Sequence, residues 1–304
     1  MKKDDEKKFS RLKEDDELVK KLQSADWWDK IVKLSHEDPD INIQLRSNSI
    51  NVYSKMGNLL KICLKRGDIC CEIHYKYLIG NANSEYVKMS PDGDRLKVPD
   101  NACPNVSYIL EPGCLKTIKQ NIAVYAGEEK GIQSRIVEKN KETIVDVEVA
   151  FSERTKDNNT RIDFVNLDKK SKKLVFVELK QVFDKRLYNP EKNPEINEQI
   201  GKYYEFACDH EKEIIQAYQE TIKTKRKLGI IKKQSFLADV NINDIKLEKR
   251  PLLIVAGYNQ PVINALSEKI MSNITVTDHL SGLFFFGKDV DLNLSEQGGN
   301  KILY

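Results

Sequence analysis

Residues 160–180, TRIDFVNLDKKSKKLVFVELK, place ionisable side chains inside two otherwise apolar runs. Asp163 interrupts the first run, and Glu178 and Lys180 close the second. An unpaired charge in such a setting is costly, so each of the three needs a partner. Side chains alternate along a strand, so Glu178 and Lys180 face the same way, about 6.6 Å apart. Leu174 and Phe176 precede them on that face, while Val175, Val177 and Leu179 line the other. A strand covered on both sides that ends in Glu-x-Lys marks a sheet edge opening onto a cleft. The short polar connector at 168–172 makes the first run an antiparallel neighbour of the second, so Asp163 and Glu178 can converge. Converging carboxylates repel each other. A Mg²⁺ or Mn²⁺ ion between them removes the repulsion and suits hard oxygen ligands. Such an ion polarises a phosphoryl oxygen and acidifies water, and a lysine beside it stabilises charge growing on phosphate. These are the parts that metal-assisted phosphodiester hydrolysis uses.

The surrounding elements must hold these groups in place. The spacing predicts a helix over about 115–140, broken near Gly127, then strands at 145–151, 160–167 and 173–180. A long helix from about 195 to 228 carries Gln199 and Tyr203 on one face by their i, i+4 spacing. A strand at 251–258, a helix at 261–271 with Pro261 in its first turn, and a strand at 282–287 follow. This order predicts an α/β domain with a mixed sheet and helices on both faces.

Ile162-Asp163 followed by Glu178-Leu179-Lys180 resembles the D…E-x-K core of the PD-(D/E)XK nuclease superfamily. Gln199-Ile200-Gly201-Lys202-Tyr203 is similar to the Q-x-x-x-Y helix motif of its RecB-type members. The resemblance covers about residues 115–290. It implies a restriction-endonuclease-like fold and hydrolysis of phosphodiester bonds, in DNA rather than RNA. It also implies dependence on Mg²⁺ or Mn²⁺, in genome defence, restriction or repair. Asp163 and Glu178 would be metal ligands, with Lys180, Gln199 and Tyr203 completing the catalytic set. Arg161-Ile162, without a proline, precedes Asp163. Cys208 is the only cysteine beyond the Q-x-x-x-Y motif, so no iron–sulfur cluster is expected. Many members add a glutamate from the helix before the first strand. Glu128, Glu129 and Glu138 are the candidates here. Glu129, on a stripe with Ile132, Gln133 and Ile136, is favoured as a further catalytic residue and metal ligand. Glu148 is another candidate, with an ion pair to Arg161 as its simpler role.

Simpler readings exist for the rest. Asp163 and Lys180 could form a structural ion pair, Glu178 could guard an edge strand, and Gln199 and Tyr203 could bond only to each other. The functional alternative is a nucleic-acid-binding or protein-interaction module on the same fold without catalysis.

The net charge of +3 permits a polyanionic partner without requiring one, so clustering of basic residues matters more than their total. Lys185 and Arg186 follow the Glu-x-Lys strand, and Lys225 and Arg226 lie in TIKTKRKLGIIKK. These four are the candidate phosphate contacts. The second group would equally suit a solvated helix end. Residues 1–9 read as a frayed start and 10–36 as one helix with Ser10 as N-cap, holding Trp27 and Trp28. INIQL, SINVYS, LLKICLKR and ICCEIHYKYL, separated by turn-forming residues, predict an antiparallel meander. Residues 80–113 read as loop. The expected division is therefore 1–114, for recognition, dimerisation or sensing, and 115–304, for the chemistry. The six cysteines lack C-x-x-C spacing, which predicts plain thiols. No apolar leader or membrane-length run is evident, so a soluble cytoplasmic protein is expected.

Overall fold

The computed structural model of the chain describes residues 9–78, 85–100, 102–103, 106–150, 161–188, 194–287, 292–294 and 302–303. They fall into two compact units. A meander unit comprises Arg11–Ser134 and Glu220–Asp239, and a mixed-sheet unit comprises Met1–Ser10, Arg135–Gln219 and Val240–Tyr304. Among the described residues no helix is long and apolar enough to cross a membrane.

In the meander unit the helix expected over 10–36 is two helices, α1 (Glu17–Gln23) and α2 (Asp26–Glu37). Ser24 ends the first, its hydroxyl donating back to the Lys21 carbonyl at 3.0 Å, a local bond that competes with helix propagation. The sheet follows as β1 (Ile41–Leu45), β2 (Ser49–Ser54), β3 (Gly57–Lys65), β4 (Asp68–His74), β5 (Tyr86–Asp92) and β6 (Arg95–Lys97), with the single turn α3 (Tyr75–Leu78) after β4. The strands are antiparallel and adjacent in sequence order. Lys55, Met56, Arg66 and Gly67 have φ of 46°, 62°, 54° and 84°. Such consecutive left-handed pairs make two-residue hairpin turns whose twist matches the strands. The β5–β6 hairpin lies in the stretch the sequence reading leaves as loop, and residues 80–84, 101, 104 and 105 of that stretch lie outside the described residues.

Next come α4 (Pro112–Tyr125) and α5 (Glu128–Lys139), parted at Gly127 as expected. The expected boundary at 114/115 needs correction. Leu115, Ile118 and Ile122 of α4 are buried in the same core as the meander strands. Leu228 joins that core, and the Trp28 indole donates to its carbonyl at 3.2 Å. Gly57 of β3 lies so near α4 that a Cβ there would sit 2.4 Å from Ile122 Cγ2. Gly57→Ala should therefore destabilise the protein by about 1–3 kcal/mol through overpacking, read as a lower denaturant midpoint with unchanged slope.

The mixed-sheet unit holds β7 (Ile144–Ala150), β8 (Arg161–Leu167), β9 (Lys173–Gln181), α6 (Glu195–Asp209) and the first part of α7 (Glu211–Lys227). The long helix expected over 195–228 thus breaks at His210, which caps α6. The short α8 (Phe236–Asp239) belongs to the meander unit. Then come β10 (Lys246–Ala256), α9 (Gln260–Asn273), β11 (Gly282–Phe286) and the two-residue β12 (Ile302–Leu303). The sheet order is β12-β11-β10-β9-β8-β7. Strands β7, β8 and β9 pair antiparallel, while β9, β10 and β11 pair parallel. The expected mixed sheet is therefore present, with α6 packed on β10 and α9 on β11. Phe151 and Thr160, at the ends of two expected strands, lie outside the described residues.

One irregularity positions the site. Pairing of β8 with β9 stops at Phe164 and Val177. Yet β8 stays paired with β7 to Arg161 and Ala150, and β9 with β10 to Gln181 and Ala256. The neighbouring strands β8 and β9 part where Asp163 and Glu178 stand.

Candidate active site

At this fork the amide of Leu179 has no strand partner on the β8 side, and the Asp163 carboxylate takes its place. Asp163 Oδ2 accepts from Leu179 N at 2.7 Å. The bond holds Asp163 against the residue that follows Glu178.

Glu178 and Lys180 are both 2% exposed, and their side chains are ion-paired. The other donors to Glu178 come from α6. Gln199 Nε2 donates to Glu178 Oε1 at 2.7 Å, and the Tyr203 hydroxyl donates to Oε2 at 2.8 Å. Gln199 Nε2 also lies 2.5 Å from the Tyr203 oxygen, and that hydroxyl is 2.6 Å from the Arg161 carbonyl on β8. Each oxygen of the buried carboxylate therefore has a donor, as a buried anion requires. Tyr203 is itself fully buried. Burial, with the negative Glu178 beside it and Asp163 adding a smaller effect, drives its phenol well above the usual range. It stays a protonated donor.

Of the site residues expected from sequence, Asp163, Glu178, Lys180, Gln199 and Tyr203 are brought together. Gln199 and Tyr203 bond to each other, but they also bond to Glu178, so their contact is not merely local. Glu129 stands half-buried in the first turn of α5, in the meander unit. Among the described residues no group of three or more His, Cys, Asp or Glu side chains is arranged to hold a metal, so Glu129 does not complete such a set. Glu148 accepts from Arg161 Nη1 at 3.0 Å, the simpler of its two expected roles. Its φ of 52° is a left-handed backbone within β7, a strained conformation for a non-glycine residue.

The expected phosphate contacts separate into two kinds. Lys185 is exposed on the turn after β9. Arg186 pairs with Asp184, its Nε 2.9 Å from Oδ1. Burial alone would raise the Asp184 carboxyl, but hydrogen bonds from Arg186 and the charges of Arg186 and Lys180 hold it below its ordinary value. Asp184 thus lies within electrostatic reach of Lys180, and the sequence reading missed it. The local signal was Asp-x-Arg at the start of a turn. Lys225 and Arg226 need correction. Lys225 is 4% exposed, with its ammonium 2.7 Å from Gln44 Oε1, and Arg226 Nε donates to the Leu237 carbonyl at 2.9 Å. The end of α7 is built into the meander unit, where Lys225 is buried and Arg226 is half-buried.

The donor chemistry fits a hard divalent cation. Two carboxylates and one ammonium leave the cluster with a net negative charge. Magnesium is commonly held by only one or two carboxylates together with water and substrate phosphate. Comparison with protein-family models, with curated proteins and with solved structures finds no match to this chain.

Proposed function

We propose that the chain is a metal-dependent nuclease of the PD-(D/E)XK type, acting on DNA, with a restriction-endonuclease-like mixed-sheet unit. One observation carries this reading. The buried Glu178 is bonded at once to Lys180, Gln199 and Tyr203 at the point where Asp163 is tied to the next residue. A structural ion pair between β-strands needs neither the helix donors nor the parted strands.

Asp163 and Glu178 would hold Mg²⁺ or Mn²⁺. When bound, the cation polarises a phosphoryl oxygen and makes water more acidic. Gln199 and the protonated Tyr203 keep Glu178 oriented. Lys180 neutralises Glu178 at rest. Its compact ammonium sits on a flexible stem, so it can turn to a phosphate oxygen as negative charge grows there. The Gln199 and Tyr203 donors then remain on Glu178 and limit the cost of that turn. Asp163, held by the Leu179 amide, keeps its place without a rearrangement of the strands.

The test is incubation of the purified chain with linear and with covalently closed circular DNA in Mg²⁺, Mn²⁺ or EDTA. The expected result is product with either cation and none with EDTA. Cutting of the closed circle would mark internal cleavage. Product in EDTA would overturn the metal dependence, and no product under any condition would overturn the reading in favour of a binding module without catalysis.

A further inference from the structure

The turn that follows the Glu-x-Lys strand exposes an aromatic ring, and so does the turn after the neighbouring parallel strand. Phe183 is 54% exposed and Tyr258 50% exposed. Among the described residues, these are the large apolar side chains that the mixed-sheet unit leaves open to solvent. The two strand ends are tied by Val182 N donating to the Ala256 carbonyl at 2.9 Å. The rings meet edge to face, with centroids 4.9 Å apart and planes at 90°. Such a pair forms a right-angled corner, with ring surface on each wall still in water.

Three further observations bear on what the corner takes. Tyr258 has φ of 64°, directly after Gly257 at 105°. A bulky residue rarely adopts this left-handed backbone, and a second glycine would fit without strain. Asn259 then caps α9 by accepting from Val262 N at 3.1 Å, so the turn is fixed on both sides and holds the ring outward. Phe183 stands three residues after Lys180, in the turn that leaves β9, and its neighbour Asp184 feels the Lys180 charge, so the corner adjoins the cluster along the chain. Lys185, exposed two residues beyond Phe183, supplies a cation on the same turn.

We propose that Phe183 and Tyr258 form a stacking site for an unpaired nucleobase of the strand presented to the cluster. The inference rests on the nuclease reading and narrows its substrate to single-stranded, frayed or unpaired nucleic acid. Aromatic side chains stack on any base without reading its identity, while nearby lysines track the backbone. A duplex keeps its bases stacked on one another and offers the corner nothing.

The test measures binding without cleavage, in EDTA, by fluorescence anisotropy of a labelled oligothymidine and of a labelled blunt duplex. Phe183→Leu keeps apolar bulk and removes the ring. Tyr258→Gly removes the ring and relieves the backbone, so lost binding cannot be ascribed to unfolding, and thermal melts verify this. Oligothymidine binding should weaken about 5- to 150-fold for each ring lost, Phe183→Trp should retain it, and duplex binding should not change. Wild type failing to bind oligothymidine, or Phe183→Leu and Tyr258→Gly binding it as wild type does, would overturn the inference. Cleavage that needs Lys180 together with binding indifferent to both rings would remove the corner and leave the nuclease reading intact. Ring-dependent binding in a protein that cuts nothing would do the reverse.

Discussion

On the nuclease reading, Lys180→Met should yield a folded protein whose metal-dependent cleavage falls by about 10²–10³-fold, the size of effect seen when one preorganised electrostatic stabiliser is removed. The same substitution also lowers stability, because Lys180 and Glu178 are both 2% exposed and removal of either strands the other. Breaking such a buried pair costs about 3–5 kcal/mol. The lower end is expected here, since Gln199 and Tyr203 still donate to Glu178. Adding Glu178→Gln to Lys180→Met removes the stranded charge, leaves an amide oxygen for Gln199, and lets the new NH2 donate to the Tyr203 oxygen while that hydroxyl turns to the Arg161 carbonyl. The double variant should therefore regain most of the lost stability and none of the cleavage. Denaturant midpoints and cleavage rates measured on wild type, Lys180→Met, Glu178→Gln and the double variant separate the two roles of the pair. If the double variant recovered activity together with stability, or if Lys180→Met cut as well as wild type, the cluster would be a structural device only.

Charges inside apolar strands made this cluster legible in the sequence. Asp163, Glu178 and Lys180 stood out because nothing about a buried strand explains them, and period-two alternation put the last two on one face. Gln199 and Tyr203 followed from helical spacing. Sequence could not show the fork. Its cause is the loss of β8–β9 pairing beyond Phe164 and Val177, compensated by one side-chain bond from the Leu179 amide. The tertiary placement of α7 was equally hidden. Lys225 and Arg226 read as a basic surface because a lysine-rich helix end is usually solvated, yet Lys225 reaches Gln44 in the meander interior. The same placement moved the unit boundary, since apolar residues of α4 and Leu228 complete a core begun by strands far earlier in the chain. Local pattern gave the strands and most helices. What it left out depends on which faces find each other across long sequence separations.

Asp163→Asn separates the charge of this residue from its role in the fork. An asparagine oxygen can still accept from the Leu179 amide, so the parted strands and the melting behaviour in EDTA should match wild type. What disappears is the second carboxylate beside Glu178. A ligand that binds only the folded state adds stability by mass action, about 2.7 kcal/mol at one hundred times its Kd. Wild type should therefore melt higher as Mn²⁺ or Mg²⁺ is raised. Asp163→Asn should lose most of that gain, along with about 10²-fold or more of its cleavage, the loss expected for one electrostatic contributor. Asp163→Ala removes the acceptor as well. The Leu179 amide is then left without its partner, at a cost of about 1–3 kcal/mol if water does not reach it, so this variant should melt lower even in EDTA. The ordering distinguishes two jobs for one side chain. Asp163→Asn cutting and responding to Mn²⁺ like wild type, with only Asp163→Ala failing, would make Asp163 a strut of the fork and remove it from the cation site. Loss of the Mn²⁺ response in both variants, with the EDTA melting of Asp163→Asn intact, requires the charge itself, which a strut does not need.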